Sequence, residues 1–252
     1  MFSITVDLSL IIFVLLGALA GGFTTGLAGF GTGLVASGFW LQAIPAQAVP
    51  PLVMLTSVFG QIVSLLTVRK AFDWRQTWPY LAGGVIGVPL GILALERASP
   101  FAIKTSVGSF LIAYSVYQLV RRKNYHIGNW GGRTADGAVG FAGGILGGFA
   151  GLSGPPPLIW LQLRGGDPDQ QRATYQPFNL IMLTLAGMGM AIGGRMTSDV
   201  LGFALLCLPA SLVGAVLGSR VYTGVSPQTF QRAVLCLLLL SGCILIGPAL
   251  IP

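Results

Sequence analysis

The run GFAGLSGPPPL at residues 148–158 interrupts an apolar stretch of the chain. GAVGFAGGIL precedes it at 137–146 and IWLQL follows it at 159–163, and both flanks have the composition of a membrane helix. Glycine and proline both disfavour the interior of a helix. Non-helical backbone at membrane depth is tolerated only where it is buried in protein or lines a wet cavity. The run therefore predicts a broken helix inside a membrane protein.

The composition of the whole chain supports this class. Of the 252 residues, 54% are hydrophobic and 8% are charged, whereas a soluble domain carries about 25% charged residues. The apolar segments are continuous and lack the alternation of outer-membrane strands, which favours helices over a barrel. The net charge of +7 is explained by basic loops on one side of a bilayer. We therefore expect a lipid bilayer around the chain and no nucleic-acid partner.

The chain contains an internal repeat. AGGFTTGLAG at 20–29 recurs as AGGILGGFAG at 142–151, with six identities in ten positions, and the tripeptide WLQ at 40–42 recurs at 160–162. Further identities follow in the same order along the chain. We predict two homologous transmembrane repeats, residues 1–120 and 136–252, joined by a basic cytoplasmic linker at 121–135.

Each repeat contains five hydrophobic segments. An odd number of segments makes the second repeat inverted relative to the first. Because about 20 residues span a bilayer, the segments at 30–44, 137–151 and 155–163 are short for full spans. The sequence leaves open whether they are full spans, half-helices or re-entrant hairpins. The segments lie near 8–27, 30–44, 47–68, 77–95, 101–120, 137–151, 155–163, 173–194, 199–220 and 228–250.

The basic residues predict the orientation. If the loop at 69–76 lies inside the cell, ten lysines and arginines fall on that side and four on the other. This bias is typical of an inner-membrane protein whose linker is cytoplasmic. Both termini are then expected outside. The N-terminal residues 1–22 have no basic region, so we interpret them as part of the first membrane helix rather than as a signal peptide.

The two breaks predict a binding site. Transporters built from inverted repeats and discontinuous helices bind substrate where the breaks face each other. The counterpart of the opening run is GLAGFGTGL at 26–34, so we expect the two breaks to meet near the midplane. The triple proline at 155–157 is predicted to begin a helix with Ser153 as its cap. Regularly spaced glycines elsewhere are assigned to helix packing.

The polar residues favour an anion. All seven carboxylates fall at or near segment ends, and the single histidine, His126, lies in the linker. A pocket formed by helix N-termini and hydroxyls suits an anion. Arg172 is interpreted as either an anion attractor or an ordinary cytoplasmic charge. No metal, cofactor or catalytic constellation is predicted. The candidate substrate-binding residues are Gly29, Gly31, Thr32, Gly33, Gln61, Gly151, Ser153, Gly154, Gln176 and Asn179, and further polar candidates are Thr24, Thr25, Thr56 and Ser57.

The repeated glycine-rich break and two longer stretches carry a family resemblance. RKAFDWRQTWPYLAGGVIGVPLG at 69–91 and SPQTFQRAVLCLLLLSG at 226–242 resemble the sulfite exporter TauE/SafE family, and the resemblance covers nearly the whole chain. It implies a bacterial inner-membrane transporter of small, often sulfur-containing anions such as sulfite or sulfoacetate. A passive anion channel of the same fold is the alternative, followed by a membrane-embedded enzyme. The sequence does not indicate an oligomeric state.

Overall fold

The computed structural model describes residues 8–66, 74–121, 126–222 and 227–250. These residues are helical and contain no strand, which confirms the all-α class. Within these described ranges, four helices are long and apolar enough to cross a membrane, at Leu8–Ala28, Ala46–Leu65, Trp74–Arg97 and Ser198–Val221. The helices are α1 (Leu8–Ala28), α2 (Thr32–Ala43), α3 (Val49–Leu65, preceded by a 3-10 turn at Ala46–Ala48), α4 (Trp74–Arg97), α5 (Pro100–Val120), α6 (Gly132–Ala150), α7 (Pro155–Arg164), α8 (Pro168–Ile192), α9 (Ser198–Tyr222) and α10 (Pro227–Leu250).

The helices match the ten predicted segments closely, except at α8, which begins at Pro168 rather than at 173, and at α6. This helix begins at Gly132 rather than at 137 and has 19 residues, so it is longer than the predicted segment. Hydropathy excluded its polar first turn, but Asp136, which directly follows that turn, is buried. The Asp136 carboxylate accepts hydrogen bonds from Tyr80 Oη at 2.8 Å, Trp160 Nε1 at 2.8 Å and Arg164 Nη1 at 3.1 Å. The last four positions of the predicted linker at 121–135 therefore belong to α6.

Helices α1 and α2 form a hairpin. Gly21 near the end of α1 lies against Thr32 and Ala36, and Gly17, one turn earlier, lies against Phe39 and Trp40. Earlier residues of α1 therefore contact later residues of α2, so the two helices are antiparallel. With 12 residues, α2 is too short to span a bilayer. The first short segment is thus a returning hairpin arm.

Helices α6 and α7 form a second hairpin. Ser153 between the helices lies against Gly147 near the end of α6. Trp160 in α7 and Arg164 at its last position reach Asp136 near the start of α6. The ten residues of α7 therefore run back along α6, so this short segment is also a hairpin arm.

Helix α4 packs against α6 through glycines. A Cβ atom on Gly87 would lie 2.3 Å from the Phe141 carbonyl oxygen, and one on Gly91 would lie 2.2 Å from the Ile145 carbonyl oxygen. Such distances leave no room for a side chain, so the backbones are in direct contact. Later residues of α4 contact later residues of α6, so the two helices are parallel. The assignment of these glycines to packing is confirmed.

Helices α1 and α9 repeat this arrangement. A Cβ atom on Gly214 would lie 2.2 Å from the Leu19 carbonyl oxygen, and one on Gly218 would lie 2.0 Å from the Phe23 carbonyl oxygen. These helices are again parallel. Each hairpin is thus joined to a helix from the other predicted repeat. If α1 corresponds to α6 and α4 to α9, the pairs α1–α9 and α4–α6 are equivalent, as a two-fold relation between repeats requires.

Two tryptophans support the proposed repeat. Trp40 Nε1 donates to the Val14 carbonyl oxygen at 2.9 Å, and Trp160 Nε1 donates to Asp136 Oδ1 at 2.8 Å. Val14 and Asp136 are separated by 122 positions, the same offset that relates the glycine-rich stretches of the two repeats. Both tryptophans therefore fasten the second arm of a hairpin to an equivalent position on its first arm.

Exposed tryptophans mark one end of the bundle. Trp74 and Trp78 lie in the first turns of α4, and Trp130 lies just before α6. All three side chains are exposed. Because α4 and α6 are parallel, their first turns lie at the same end. Tryptophans concentrate at membrane–water interfaces, so this end is the expected level of one interface.

Candidate functional site

The two breaks of the hairpins contact each other inside the bundle. The first break comprises residues 29–31, between α1 and α2, and the second comprises residues 151–154, between α6 and α7. A Cβ atom on Gly33 would lie 2.5 Å from the Gly151 carbonyl oxygen, and one on Gly154 would lie 3.1 Å from Phe30 Cβ. The prediction that the breaks face each other is confirmed.

The backbone conformation explains why these positions are glycines. Gly29 has φ of 78°, Gly31 has φ of 128° and Gly151 has φ of 73°. Only glycine adopts such angles readily, because it has no Cβ atom. Gly151 ends α6, and its N–H donates to the Gly147 carbonyl oxygen at 2.9 Å. The glycines therefore permit the sharp reversals of the chain that bring the two breaks together.

A small cavity lies between the breaks, and we call it the inner site. Its volume is about 10 Å³, close to the minimum of about 10–15 Å³ that holds one water molecule. The breaks are therefore closed against each other in this conformation. Seven of the ten predicted substrate-binding residues line the inner site, namely Gly31, Thr32, Gly33, Gln61, Gly151, Gly154 and Asn179.

The other three predicted residues lie beside the inner site. The Ser153 hydroxyl hydrogen-bonds to Asn179 Oδ1. Gln176 Nε2 donates to Ser64 Oγ at 2.9 Å, and its side chain lies against Gly29. Gly29, Ser153 and Gln176 therefore border the inner site without lining it.

Ser153 does not cap α7, which corrects the sequence prediction. The residue preceding the first turn is Gly154, and it makes no side-chain capping hydrogen bond. The prediction that the triple proline begins the helix is confirmed, since α7 starts at Pro155. A proline has no N–H to donate, so the first turn of α7 offers little for a capping hydroxyl to accept. The Ser153 hydroxyl is used instead to hold α8 through Asn179.

Gln61 is the most unusual polar residue of the inner site. Its side chain is 1% exposed, and neither Oε1 nor Nε2 has a hydrogen-bond partner among the described residues. Ser57 lies one turn earlier on α3, and its buried hydroxyl also lacks a partner within the described part of the chain. A buried polar group without a partner costs about 1–3 kcal/mol. These two groups are therefore available to a ligand at the inner site.

The Thr32 side chain is already engaged. Its hydroxyl lies 2.7 Å from the Thr25 hydroxyl and 3.3 Å from the Gly21 carbonyl oxygen. Its N–H donates to Thr25 Oγ1 at 2.8 Å. Thr32 thus fastens the start of α2 to α1. The N–H groups of Gly33 and Leu34 follow in the first turn, where a helix supplies no carbonyl acceptor, and both residues line the inner site.

Arg172 holds the end of α1. Its side chain is 4% exposed. Nη2 donates to the Gly26 carbonyl oxygen and to Ser64 Oγ, both at 3.0 Å, and Nη1 donates to the Leu27 carbonyl oxygen at 3.2 Å. A cation at the C-terminus of a helix is stabilised by the helix dipole. This structural contact was missed by the sequence analysis, which treated Arg172 as an attractor or a loop charge.

Ser64 is a further residue that the sequence analysis missed. Its hydroxyl donates to the Thr25 carbonyl oxygen at 3.0 Å and accepts from Arg172 and Gln176. The signal was present in the spacing of Ser57, Gln61 and Ser64, which places three buried polar residues on one face of α3. The inner site therefore lies against the Ser57 and Gln61 end of this polar face of α3.

A larger cavity adjoins the inner site, and we call it the vestibule. Its volume is about 210 Å³. Phe30 and Leu34 line both cavities, so they form the wall between them. The Phe30 ring makes edge-to-face contacts with Tyr114, at 6.3 Å between ring centroids, and with Tyr175, at 5.9 Å. Tyr114 and Tyr175 also line the vestibule, and the other lining residues are Thr24, Leu27, Ala28, Leu158, Gln162, Pro168, Gln171, Arg172, Val234, Leu235 and Leu238.

The comparison with known families decides the family of the chain. The model of the family described as "Sulfite exporter TauE/SafE" matches residues 13–245, which include both hairpins and both breaks. The chain belongs to the sulfite exporter TauE/SafE family. The resemblance seen in the sequence is thereby confirmed. This TauE/SafE protein is a membrane-embedded transporter of a small anion rather than an enzyme.

One curated relative is similar over almost the whole length of this TauE/SafE protein. It is named "Probable sulfite/organosulfonate exporter TauE" and comes from Cupriavidus necator. The two chains are 25% identical over 239 residues, which cover 92% of this chain and 91% of the relative. No solved structure matches the chain.

Proposed function

We propose that this protein carries a small sulfur-containing oxyanion or organosulfonate across the bacterial inner membrane and binds it at the inner site. One observation carries the proposal: the buried and unpartnered Gln61 amide lies where the two breaks meet. The name of the Cupriavidus relative supports the substrate class. None of the described residues that line the inner site is charged, so recognition relies on N–H and O–H dipoles.

The donors for the anion come mainly from the first repeat. Gln61 Nε2 and the Ser57 hydroxyl supply side-chain hydrogen bonds, and the first turn of α2 supplies the N–H groups of Gly33 and Leu34. The N-terminus of a helix favours an anion through these free N–H groups and its dipole. The second break donates less, because Pro155, Pro156 and Pro157 have no N–H. Asn179 and Ser153 keep that break in place.

Alternating access requires the breaks to separate. A cavity of about 10 Å³ is too small for an oxyanion, which is larger than the single water molecule that such a volume holds. The direct backbone contacts of α1 with α9 and of α4 with α6 support two rigid units that each combine elements of both repeats. Rocking of these units would open the inner site to one side at a time. The closed contact favours such a carrier over the alternative of a passive channel.

The proposed orientation places the linker in the cytoplasm and both termini outside. It is supported by Arg164 at the end of α7, which lies at the linker end of the bundle beside the first residues of α6. Arg69 and Lys70 of the loop at 69–76 and residues 1–7 lie outside the described residues.

A thermal-unfolding screen tests the proposal. Purified protein is heated with sulfite, sulfate, thiosulfate, methanesulfonate or acetate. A ligand at 100 times its Kd stabilises the folded state by about 2.7 kcal/mol, so the anion that is transported should raise the unfolding midpoint. The same anion should have little effect on a Gln61→Met variant. If no anion raises the midpoint of the wild-type protein, the inner site is not an anion site.

A further inference from the structure

The vestibule is a separate cavity with its own chemistry. Its volume of about 210 Å³ is well above the 10–15 Å³ or so that one water molecule needs. Its walls include Leu27, Leu34, Leu158 and Leu238, which come from α1, α2, α7 and α10. All four leucines are buried within the fold. These four side chains give the vestibule a largely apolar wall.

The vestibule combines this apolar wall with a positive charge. Arg172 is the one charged residue among the described residues that line it, and its guanidinium is fixed by contacts with the end of α1. Gln162 and Gln171 add amide groups near the α7–α8 connection. Because the Arg172 guanidinium is engaged by the α1 carbonyl oxygens, the vestibule offers a ligand mainly its apolar wall, which suits a hydrocarbon chain.

The vestibule also lies directly beside the inner site. Phe30 and Leu34 line both cavities, so one layer of side chains separates a ligand in the vestibule from the Gln61 amide. The Phe30 ring is held by Tyr114 and Tyr175. A molecule that spans this layer would have its anionic group close to the inner site while its hydrocarbon part stays in the vestibule.

We propose that the vestibule is a second binding subsite, which holds the hydrocarbon chain of an organic anion such as an alkylsulfonate. This inference rests on the proposed function, because it requires that the protein binds anions. Each methylene buried against the leucines contributes to affinity through the hydrophobic effect. An inorganic oxyanion has no hydrocarbon part and gains nothing from this wall. The protein therefore selects organic anions with an apolar chain over inorganic ones.

The test compares methanesulfonate, propanesulfonate and butanesulfonate, with affinities measured by calorimetry on the purified protein. A buried methylene strengthens binding about fourfold. Butanesulfonate should therefore bind about 60-fold more tightly than methanesulfonate, which has three methylenes fewer. A wild-type affinity that does not change with chain length overturns the subsite. An absence of binding for all three sulfonates, and for sulfite, overturns the proposed function itself.

Two variants on adjacent positions of α10 locate the effect. Leu238 is 2% exposed and lines the vestibule, whereas Leu237 is 54% exposed and faces away from it. Leu238→Trp fills the vestibule and should remove the gain with chain length, while methanesulfonate binds as in the wild type. Leu237→Trp should keep the gain. If both variants keep the gain with chain length, the gain comes from partitioning into detergent or lipid, and the subsite is refuted. If Leu238→Trp does not fold, the wild-type series still tests the subsite, because an affinity that does not change with chain length overturns it.

Discussion

Gln61→Met should change stability and anion affinity in opposite directions. Methionine is similar in size to glutamine but has no amide, so it fills the same space without polar atoms that need partners. In the unliganded protein the Gln61 Oε1 and Nε2 atoms have no partner in the described part of the chain. Removing this penalty should stabilise the folded state by about 1–3 kcal/mol.

The same substitution should weaken anion binding. A hydrogen bond to a charged group contributes about 1.5–3 kcal/mol, so the loss of the Gln61 donor should reduce affinity about 10- to 150-fold. The measurements are thermal unfolding without ligand and calorimetric titration with the anion that stabilises the wild type most. A packing role for Gln61 would not produce this combination of a more stable protein and a weaker ligand complex.

Gln118→Met is the matched control for stability. Gln118 Nε2 donates to Tyr114 Oη at 3.3 Å and to Gln162 Oε1 at 3.2 Å, so its loss should destabilise the unliganded protein by about 1 kcal/mol. If Gln61→Met also lowers the unfolding midpoint, the amide is satisfied in the protein and the reasoning is refuted. An unchanged affinity would remove Gln61 from the binding site.

Three further predictions test the packing, the wall between the cavities and the orientation. Gly87→Ala places a Cβ atom 2.3 Å from the Phe141 carbonyl oxygen and should destabilise the protein by about 3 kcal/mol. A Cβ atom on Gly202 would meet no atom of the described residues within 4 Å, so Gly202→Ala should stabilise the protein by up to about 1 kcal/mol. Equal shifts of the thermal midpoint for Gly87→Ala and Gly202→Ala would contradict the α4–α6 contact. Phe30→Ala removes the wall between the vestibule and the inner site, so anion flux into vesicles should become faster and less saturable, and unaltered saturation would refute this role. A reporter enzyme fused after Pro252 should be active only in its periplasmic form, and cytoplasmic activity would contradict the inverted repeat.

The breaks could be located from the sequence because their residues have strong local preferences. Gly31 and Gly151 occupy backbone conformations that other residues avoid, and Pro155 suits the first turn of a helix. The regular glycine spacing of α4 and α9 also identifies close helix contacts without a structure. Local preference and composition are therefore sufficient for the positions of the two reversals, but they missed the polar starts of α6 and α8 by five residues each.

The side-chain contacts between helices could not be predicted from the sequence in the same way. Nothing local to Ser153 distinguishes a helix cap from a bond to Asn179, which is 26 positions away. The burial of Asp136 depends on Tyr80, Trp160 and Arg164, which approach from two other helices. The isolation of the Gln61 amide is likewise a property of the packed tertiary structure. Such contacts are set by tertiary packing, to which hydropathy and spacing are insensitive.

These tertiary contacts also alter one experiment that the sequence suggests. Bulky residues at Gly31 or Gly151 are attractive tests of the breaks, but both glycines have positive φ, and a Cβ atom on Gly151 would lie 2.5 Å from Val53 Cγ1. Such substitutions would strain the backbone and weaken the fold together with transport. Gln61 is the better position, because its side chain can be replaced without changing the backbone.

Counterflow in reconstituted vesicles tests the central claim most directly, namely that the protein is a carrier which binds a small anion between the two breaks. Vesicles are preloaded with the anion that stabilises the wild-type protein, and the entry of labelled anion is followed over time. The wild type should give saturable entry that is faster into loaded than into empty vesicles, and Gln61→Met should need a 10- to 150-fold higher concentration, about the loss expected from one hydrogen bond. Linear entry that is independent of preloading and unaffected by Gln61→Met would contradict the claim.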